Sequence, residues 1–465
     1  MSDTIQSVNP ATGAPLERYR LFTPDEADAA VERAHAAFLS YRSTTFAQRA
    51  AWLGRVADLL AERKDAYAKI ITSEMGKAIR QAKGELDICI AICRYYQANA
   101  ERLLAPQPVA NVWGAQEAEV RKDPIGIVFG VMPWNYPFYQ VIRYVAPNLM
   151  AGNTLLLKHA SNVPGCAKAL EDVVRDAGFP EGTFINLVIP ASGVARIIEN
   201  PKVRGVTLTG SEPAGRKVGA QAGQHIKPVV LELGGSDPFV VLDDADVGLA
   251  VKLAVEGRFA NAGQACTSAK RLIVDQKVAP AFIEGLTKAV QSIEPGDPMQ
   301  ESTFMGPLAR SDLRDELHDQ VTRAQQAGAK LVVGGKAIPG PGSFYAATLL
   351  VDVDENNPAF QEELFGPVAV VTVAKDEADA LRLANNSRFG LGSAVITKDI
   401  ERGKRFAVQV EAGMCYVNRP TQSPPELPFG GVKDSGIGRE LGESGISEFL
   451  NVRTVYVGKP PKPKA

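Results

Sequence analysis

Apolar and polar positions change their period once along the chain, and that change divides it. From Thr23 to about Leu104 apolar residues recur three and four apart in alanine-rich turns, the spacing of helices with one buried face. Thr23-Pro24-Asp25-Glu26 predicts the first helix start, a capping box with proline at the first helical position. Cys89 and Cys93 fall four apart on one helical face, where core packing explains them better than redox chemistry. Beyond Leu104, short runs rich in β-branched residues or leucine replace the helical period, at 127–131, 154–158, 184–188, 205–209 and 229–233. Helical stretches such as 165–177 and 213–222 lie between them. Strands alternating with helices predict a parallel sheet covered on both faces, a doubly wound α/β domain. After Gly234-Gly235 the alternation restarts, with a strand near 239–242, a helix from Asp246 and a strand at 271–274. A second α/β unit is therefore expected from about 235 to the 420s. A final strand is expected at 449–457, followed by a solvated tail of lysine and proline at 459–464.

Composition narrows the classes. A chain of 465 residues suggests about three structural units. With 45% hydrophobic and 22% charged residues it is built to bury large cores, which excludes disorder, collagen-like repetition and a disulfide scaffold. Its 51 Lys+Arg against 53 Asp+Glu offer no electrostatic reason for a nucleic-acid or anionic-membrane partner. The uncharged stretch 124–142 has the length of a membrane span, but Pro133-Trp134-Asn135-Tyr136-Pro137 breaks its middle and could not satisfy its backbone in lipid. The N-terminus is polar and lacks a secretion signal, so a soluble, cytoplasmic protein is expected. Five cysteines without paired spacing and four scattered histidines predict neither a disulfide framework nor a metal site.

Three segments carry candidate chemistry. Asn261-Ala262-Gly263-Gln264-Ala265-Cys266 sets one thiol after a small, flexible approach that lets backbone N–H groups and a substrate come near. Leu231-Glu232-Leu233-Gly234-Gly235 ends an apolar strand on a carboxylate, where ligands collect in such sheets; a capping or ion-paired glutamate is the ordinary alternative. In 133–137, Asn135 between prolines is a candidate fixed donor to a developing oxyanion, with an Asx-turn as the commoner use.

In this order and spacing the segments resemble the aldehyde dehydrogenase superfamily along nearly the whole chain. The resemblance opens at Val8-Asn9-Pro10-Ala11-Thr12-Gly13 and continues through Thr209-Gly210-Ser211 and Glu362-Glu363-Leu364-Phe365-Gly366-Pro367. It closes on the run from Pro428 to Glu440. Ser236, after the double glycine, departs from the residues more usual there. Within the superfamily the chain resembles the shorter succinate-semialdehyde dehydrogenases, through Lys158-His159-Ala160-Ser161-Asn162-Val163 and 232–238, with a single cysteine in the catalytic loop.

The resemblance implies an α/β fold with a Rossmann-type cofactor domain (1–113 and 128–232), a second α/β catalytic domain (233–428), and a small β bridging and oligomerisation element (114–127 and 447–465). It implies Cys266 as nucleophile, Asn135 and the Cys266 N–H as oxyanion donors, and Glu232 as the base that activates the deacylating water. Cofactor contacts would fall to Pro133, Trp134, Lys158, Ser161, Gly210, Ser211, Gly215, Leu233, Glu363 and Phe365. A homodimer or tetramer acting on a small aldehyde is implied, with NADP preferred and NAD possible. The cofactor preference rests on Ser161, where NAD-preferring relatives carry a glutamate. A carboxylate about 4 Å from a 2′-phosphate charge would be repelled by roughly 4 kcal/mol at an effective dielectric of 20.

For the substrate, Tyr139 and Arg143 lie four apart on a helix expected from near Pro137. Arg143 reads as a lone guanidinium in an apolar region, suited to a substrate carboxylate; an internal acidic partner is the alternative. Ser423, in the loop before the final glycine motif, resembles a position where these enzymes place a second donor. Oxidation of succinate semialdehyde to succinate is the expected reaction. Its rivals are another short or carboxylated aldehyde, a catalytically silent fold member, and an acyl-phosphate reductase or CoA-acylating enzyme. The last has no need of Glu232.

Overall fold

The computed structural model describes residues 3–460. Its first helices follow local rules. Thr23 caps Pro24–Tyr41 with its side chain on the Glu26 N–H, and Glu26 returns the bond to the Thr23 N–H. Thr45 and Gln48 repeat the capping box on Phe46–Glu62. Lys64–Met75 and Ile79–Leu104 complete the helical region, and Cys89 and Cys93 are buried in its core.

The first sheet has six strands in the order Gly436–Ile437, Val229–Glu232, Val203–Thr209, Ile127–Met132, Thr154–His159, Phe184–Asn186. All its pairs are parallel except Gly436–Ile437 on Val229–Glu232. Its side chains alternate between two cores. Val128, Leu155 and Leu157 pack with the helices Phe46–Glu62, Lys64–Met75 and Ile79–Leu104, while Ile127, Phe129 and Leu156 pack on the opposite face with Ala27, Val31 and Ala34 of the first helix. That alternation is why the runs carry apolar residues at consecutive positions.

A seven-stranded sheet forms the second core, in the order Lys330–Val333, Thr348–Val351, Val368–Ala374, Ala269–Asp275, Asp237–Val241, Ala394–Ile396, Tyr416–Val417. Only its outermost pair, Lys330–Val333 with Thr348–Val351, is antiparallel. A third, antiparallel sheet places Ala115–Pro124 between Gln107–Pro108 and Leu450–Gly458. The tail expected at 459–464 lies mostly outside the described residues. No helix among the described residues is long and apolar enough to cross a membrane.

One strand departs from the order of the chain. Gly436–Ile437 returns to the first sheet after the second is complete, and Gly436 pairs with Glu232. A Cβ at Gly436 would lie 1.9 Å from the Leu231 carbonyl oxygen, so only glycine lets this edge close on the strand that bears Glu232.

Candidate active site

The approach to Cys266 is held in a costly conformation. Asn261, Ala262 and Gly263 have φ of 53°, 52° and 71°, left-handed in succession. For a residue with a Cβ this costs about 1–2 kcal/mol, so the surroundings must fix it. Asn261 Nδ2 donates to the Asn135 carbonyl at 3.0 Å and to the Gln264 carbonyl at 3.1 Å, and its N–H donates to Gln81 at 2.8 Å. Gly263 passes so close to the neighbouring loop that a Cβ would meet the Gly366 carbonyl oxygen at 2.3 Å.

This turn delivers the half-buried Cys266 to the boundary between two cavities, of about 390 and 460 Å³, and Cys266 and Gln140 line both. Pro133, Trp134, Asn135, Gly210, Ser211, Leu233, Glu363 and Phe365 line the first. Trp134 meets Phe365 edge-on, with centroids 5.7 Å apart. Tyr139, Arg143 and Ser423 line the second, with Tyr136, Thr421 and Phe429.

Asn135 is oriented by two bonds. Its Oδ1 accepts from Gln140 Nε2 at 3.0 Å, and its Nδ2 donates to the Gln264 carbonyl at 3.1 Å. The amide N–H side is therefore turned toward the Cys266 loop. The following helix, Tyr139–Ala151, is capped by the buried Glu85 carboxylate, which accepts from Phe138 N at 2.8 Å and Tyr139 N at 3.1 Å. Glu85 pairs with buried Lys77, whose ammonium lies 3.5 Å from the centroid of the Tyr136 ring. Burial pushes the Cys266 thiol up to about 12, against the pull of Lys270 and Arg143.

Glu232 ends its strand as expected, yet it lines neither cavity. Its carboxyl lies against Gly430, where a Cβ would be 2.6 Å from Oε1, and neither oxygen has a hydrogen-bond partner among the described residues. Burial raises its pKa well above the usual carboxylate value, against the opposing pull of Arg143. Burial without a hydrogen-bond partner favours its neutral form.

The expectation for Arg143 needs a larger correction. It lines the second cavity, but it is not a lone guanidinium. It forms a buried ion pair with Glu440, and it donates to Tyr139 Oη at 3.3 Å and to Thr209 Oγ1 at 3.1 Å. The alternative weighed from sequence, an internal acidic partner, is the one realised. A buried guanidinium requires a permanent counter-charge, which a transient substrate cannot supply. Ser423 reaches the same spot through a hydrogen bond with Tyr139.

Lys158 and Ser161 lie outside both cavities, Lys158 on the strand Thr154–His159, where it pairs with Val131, and Ser161 past its end, and Gly215 lines an adjoining cavity of about 370 Å³. The Lys158 ammonium has no hydrogen bond or ion pair among the described residues, and burial lowers its pKa. Ser161 is exposed.

The family model described as "Aldehyde dehydrogenase family" matches residues 1–455. The chain belongs to the aldehyde dehydrogenase family. This aldehyde dehydrogenase is 48% identical over 456 residues to a succinate-semialdehyde dehydrogenase [NADP(+)] of Mycolicibacterium paratuberculosis, covering 98% of this chain and 97% of the relative. A crystal structure of succinic semialdehyde dehydrogenase from Streptococcus pyogenes in complex with NADP+ matches at TM-score 0.95 and 38% identity, over 98% of this chain and 100% of that one. A betaine aldehyde dehydrogenase from Staphylococcus aureus in complex with NAD+ matches equally well in fold, at TM-score 0.95 and 29% identity, over 99% and 92%.

The residues of this aldehyde dehydrogenase fit a pyridine dinucleotide. Ser211 precedes the helix Glu212–Gln224 without a side-chain cap, which leaves first-turn N–H groups for a phosphate. A Cβ at Gly234 would come within 2.3 Å of Glu363 Oε2, so glycine there opens the place that the Glu363 carboxylate occupies at the cavity wall. Sequence reasoning missed Gln140, Glu440 and Lys270. Gln140 is a polar residue five positions after Asn135 in the uncharged stretch, a signal that was available. Glu440 stood at the end of a quoted motif, but nothing local paired it with Arg143.

Proposed function

We propose that this aldehyde dehydrogenase oxidises succinate semialdehyde to succinate with NADP as the preferred acceptor. The observation that carries the reading is the place of Cys266, shared by two cavities. One is walled by strand ends and a helix N-terminus, the other by Tyr139 and Ser423. The names borne by the mycobacterial relative and the streptococcal structure support the substrate and the cofactor.

In this mechanism the Cys266 thiolate attacks the aldehyde carbon, and the Asn135 amide with the Cys266 N–H receives the oxyanion. The dinucleotide, when bound, would supply the hydride acceptor, and Glu363, Trp134, Phe365 and the turn at Gly210-Ser211 would hold it. Loss of hydride from the tetrahedral carbon leaves a thioester on Cys266. Glu232 rotates from its place against Gly430 toward the cavity, where solvation lowers its pKa and its proton passes to water, and as the carboxylate it activates the water that releases the acid and the thiol. The hydroxyls of Ser423 and Tyr139 donate to the far carboxylate, and Arg143 polarises Tyr139 through their hydrogen bond.

The Arg143–Glu440 pair favours a second reading, a short aldehyde without a charged end, because it leaves little free positive charge in the tunnel. A panel decides between them: kcat/KM for succinate semialdehyde should exceed that for butyraldehyde by at least tenfold, and equality would favour the second reading. For the cofactor, Lys158 is an unspent cation and Ser161 removes the carboxylate that would repel a 2′-phosphate. Ser161→Glu should shift the NADP-to-NAD ratio of kcat/KM toward NAD by about tenfold or more, and an unchanged ratio would overturn the assignment.

We also place the dinucleotide on 1–113 with 128–232, the nucleophile on 233–428, and self-association on 114–127 with 447–465. The exposed Val452, Tyr456 and Val457 on the outer strand of the third sheet support a homo-oligomeric contact there.

A further inference from the structure

Four residues beyond Cys266, Lys270 is the second residue of the strand Ala269–Asp275, which is buried along its whole length. Its side chain is 2% exposed, and its ammonium has three acceptors: the Ala265 carbonyl at 2.8 Å, the Cys266 carbonyl at 2.7 Å and Glu363 Oε1 at 3.0 Å. An ammonium carries three donors, so the set is complete. Two of the acceptors belong to the nucleophile segment itself, and the third is the carboxylate at the wall of the cofactor cavity. The double glycine makes the arrangement possible. A Cβ at Gly234 would collide with Glu363 Oε2 at 2.3 Å, and one at Gly235 would stand 2.8 Å from the Cys266 carbonyl oxygen. The Gly235 N–H also donates to Glu363 Oε1 at 3.1 Å.

We propose that Lys270 is a positioning residue that latches the Cys266 segment to Glu363, and that the charge balance of this Lys270–Glu363 pair sets the reactivity of the nucleophile. The latch holds the two carbonyls that flank the thiol, and the ammonium is, with Arg143, one of two positive charges that favour the thiolate. Glu363, while it faces Lys270, mutes that charge. Lys270, Arg143, Glu363, Asp237 and Tyr136 are the titratable groups that face Cys266. Lys270 and Arg143 lower its pKa, and Glu363 and Asp237 raise it. The inference rests on Cys266 being the nucleophile, and its test needs neither aldehyde nor turnover.

The measurement is the pH dependence of Cys266 alkylation by iodoacetamide in the cofactor-free protein, read at the Cys266 peptide by mass spectrometry. Cys89, Cys93 and Cys166 are buried, and peptide identity separates Cys266 from Cys415. Across the range of about pH 7 to 9.5, Lys270→Met should be alkylated about tenfold more slowly than wild type and Glu363→Gln faster, while Lys270→Arg should return toward wild type. Opposite signs for the two variants are the signature, because a merely structural disturbance would move both the same way. Glu363 is partly exposed, so Glu363→Gln alone decides if Lys270→Met does not fold. An alkylation rate that is unchanged or lowered in Glu363→Gln overturns the proposal. Failure of the functional reading would show separately, as turnover that survives Cys266→Ala.

Discussion

The two cavities that meet at Cys266 are built in different ways. The cofactor side takes much of its wall from strand ends and the turns that follow them, Pro133-Trp134-Asn135, Gly210-Ser211 and Leu233-Gly234. The substrate side is assembled from remote pieces: Ile88 on a long N-terminal helix, Tyr139 and Arg143 on a buried helix, Thr267 after the nucleophile, and the loop of Thr421 and Ser423. Walls made of backbone at strand ends follow from the sheet itself, whereas walls made of long side chains from four segments can change without disturbing it. A succinic semialdehyde and a betaine aldehyde dehydrogenase share the TM-score of 0.95 with this chain. The proposed function accordingly assigns the chemistry to the common backbone and the discrimination to the side chains of the tunnel.

The strongest way to break the comparison is to remove what the two sides share. Cys266→Ala should abolish reduced-cofactor formation and acid release together, and near-normal turnover would end the mechanism. Glu232→Gln acts on one step only. Turnover should fall by on the order of 10²–10⁴-fold while a pre-steady-state burst of reduced cofactor survives, and a lost burst would move Glu232 to an earlier step.

The same variant tests the burial of Glu232 through stability. A carboxyl whose native pKa is raised keeps its proton while the unfolded chain gives it up, so its contribution is intact below the unfolded value of about 4.3 and is lost as pH rises toward the native value. Glu232→Gln should melt higher than wild type, with a gain near zero at pH 4 that grows toward pH 8. A gain independent of pH would mean that the carboxyl is ionised in place.

Arg143 and Ser423 sharpen the contrast within the tunnel. Arg143→Ala strands Glu440 as a buried, unpaired charge, which should cost about 3–5 kcal/mol in denaturant unfolding and lower kcat/KM for both aldehydes, more for succinate semialdehyde because Tyr139 loses its polarising donor. Ser423→Ala removes only a donor near the tunnel wall. It should reduce kcat/KM for succinate semialdehyde by about tenfold, the lower value for a hydrogen bond to a charged group, and leave butyraldehyde nearly unchanged. Equal losses on both aldehydes in Ser423→Ala would take the carboxylate out of the recognition model.

The sequence by itself determined the elements and the places where chemistry collects. The Thr23–Glu26 box, the consecutive apolar runs of the first sheet and the thiol after Asn261-Ala262-Gly263 depend on residues within a turn or a strand of one another, and such local rules are legible without a fold. Only the tertiary structure decided how the charges are paired. Glu440 reaches Arg143 because the chain, having finished its second sheet, returns to the edge of the first at Gly436–Ile437. Lys270 meets Glu363 because two glycines let separate segments close on the nucleophile. A buried charge must find a partner, but its identity is set by which distant backbone comes near, and no local period in the chain encodes that.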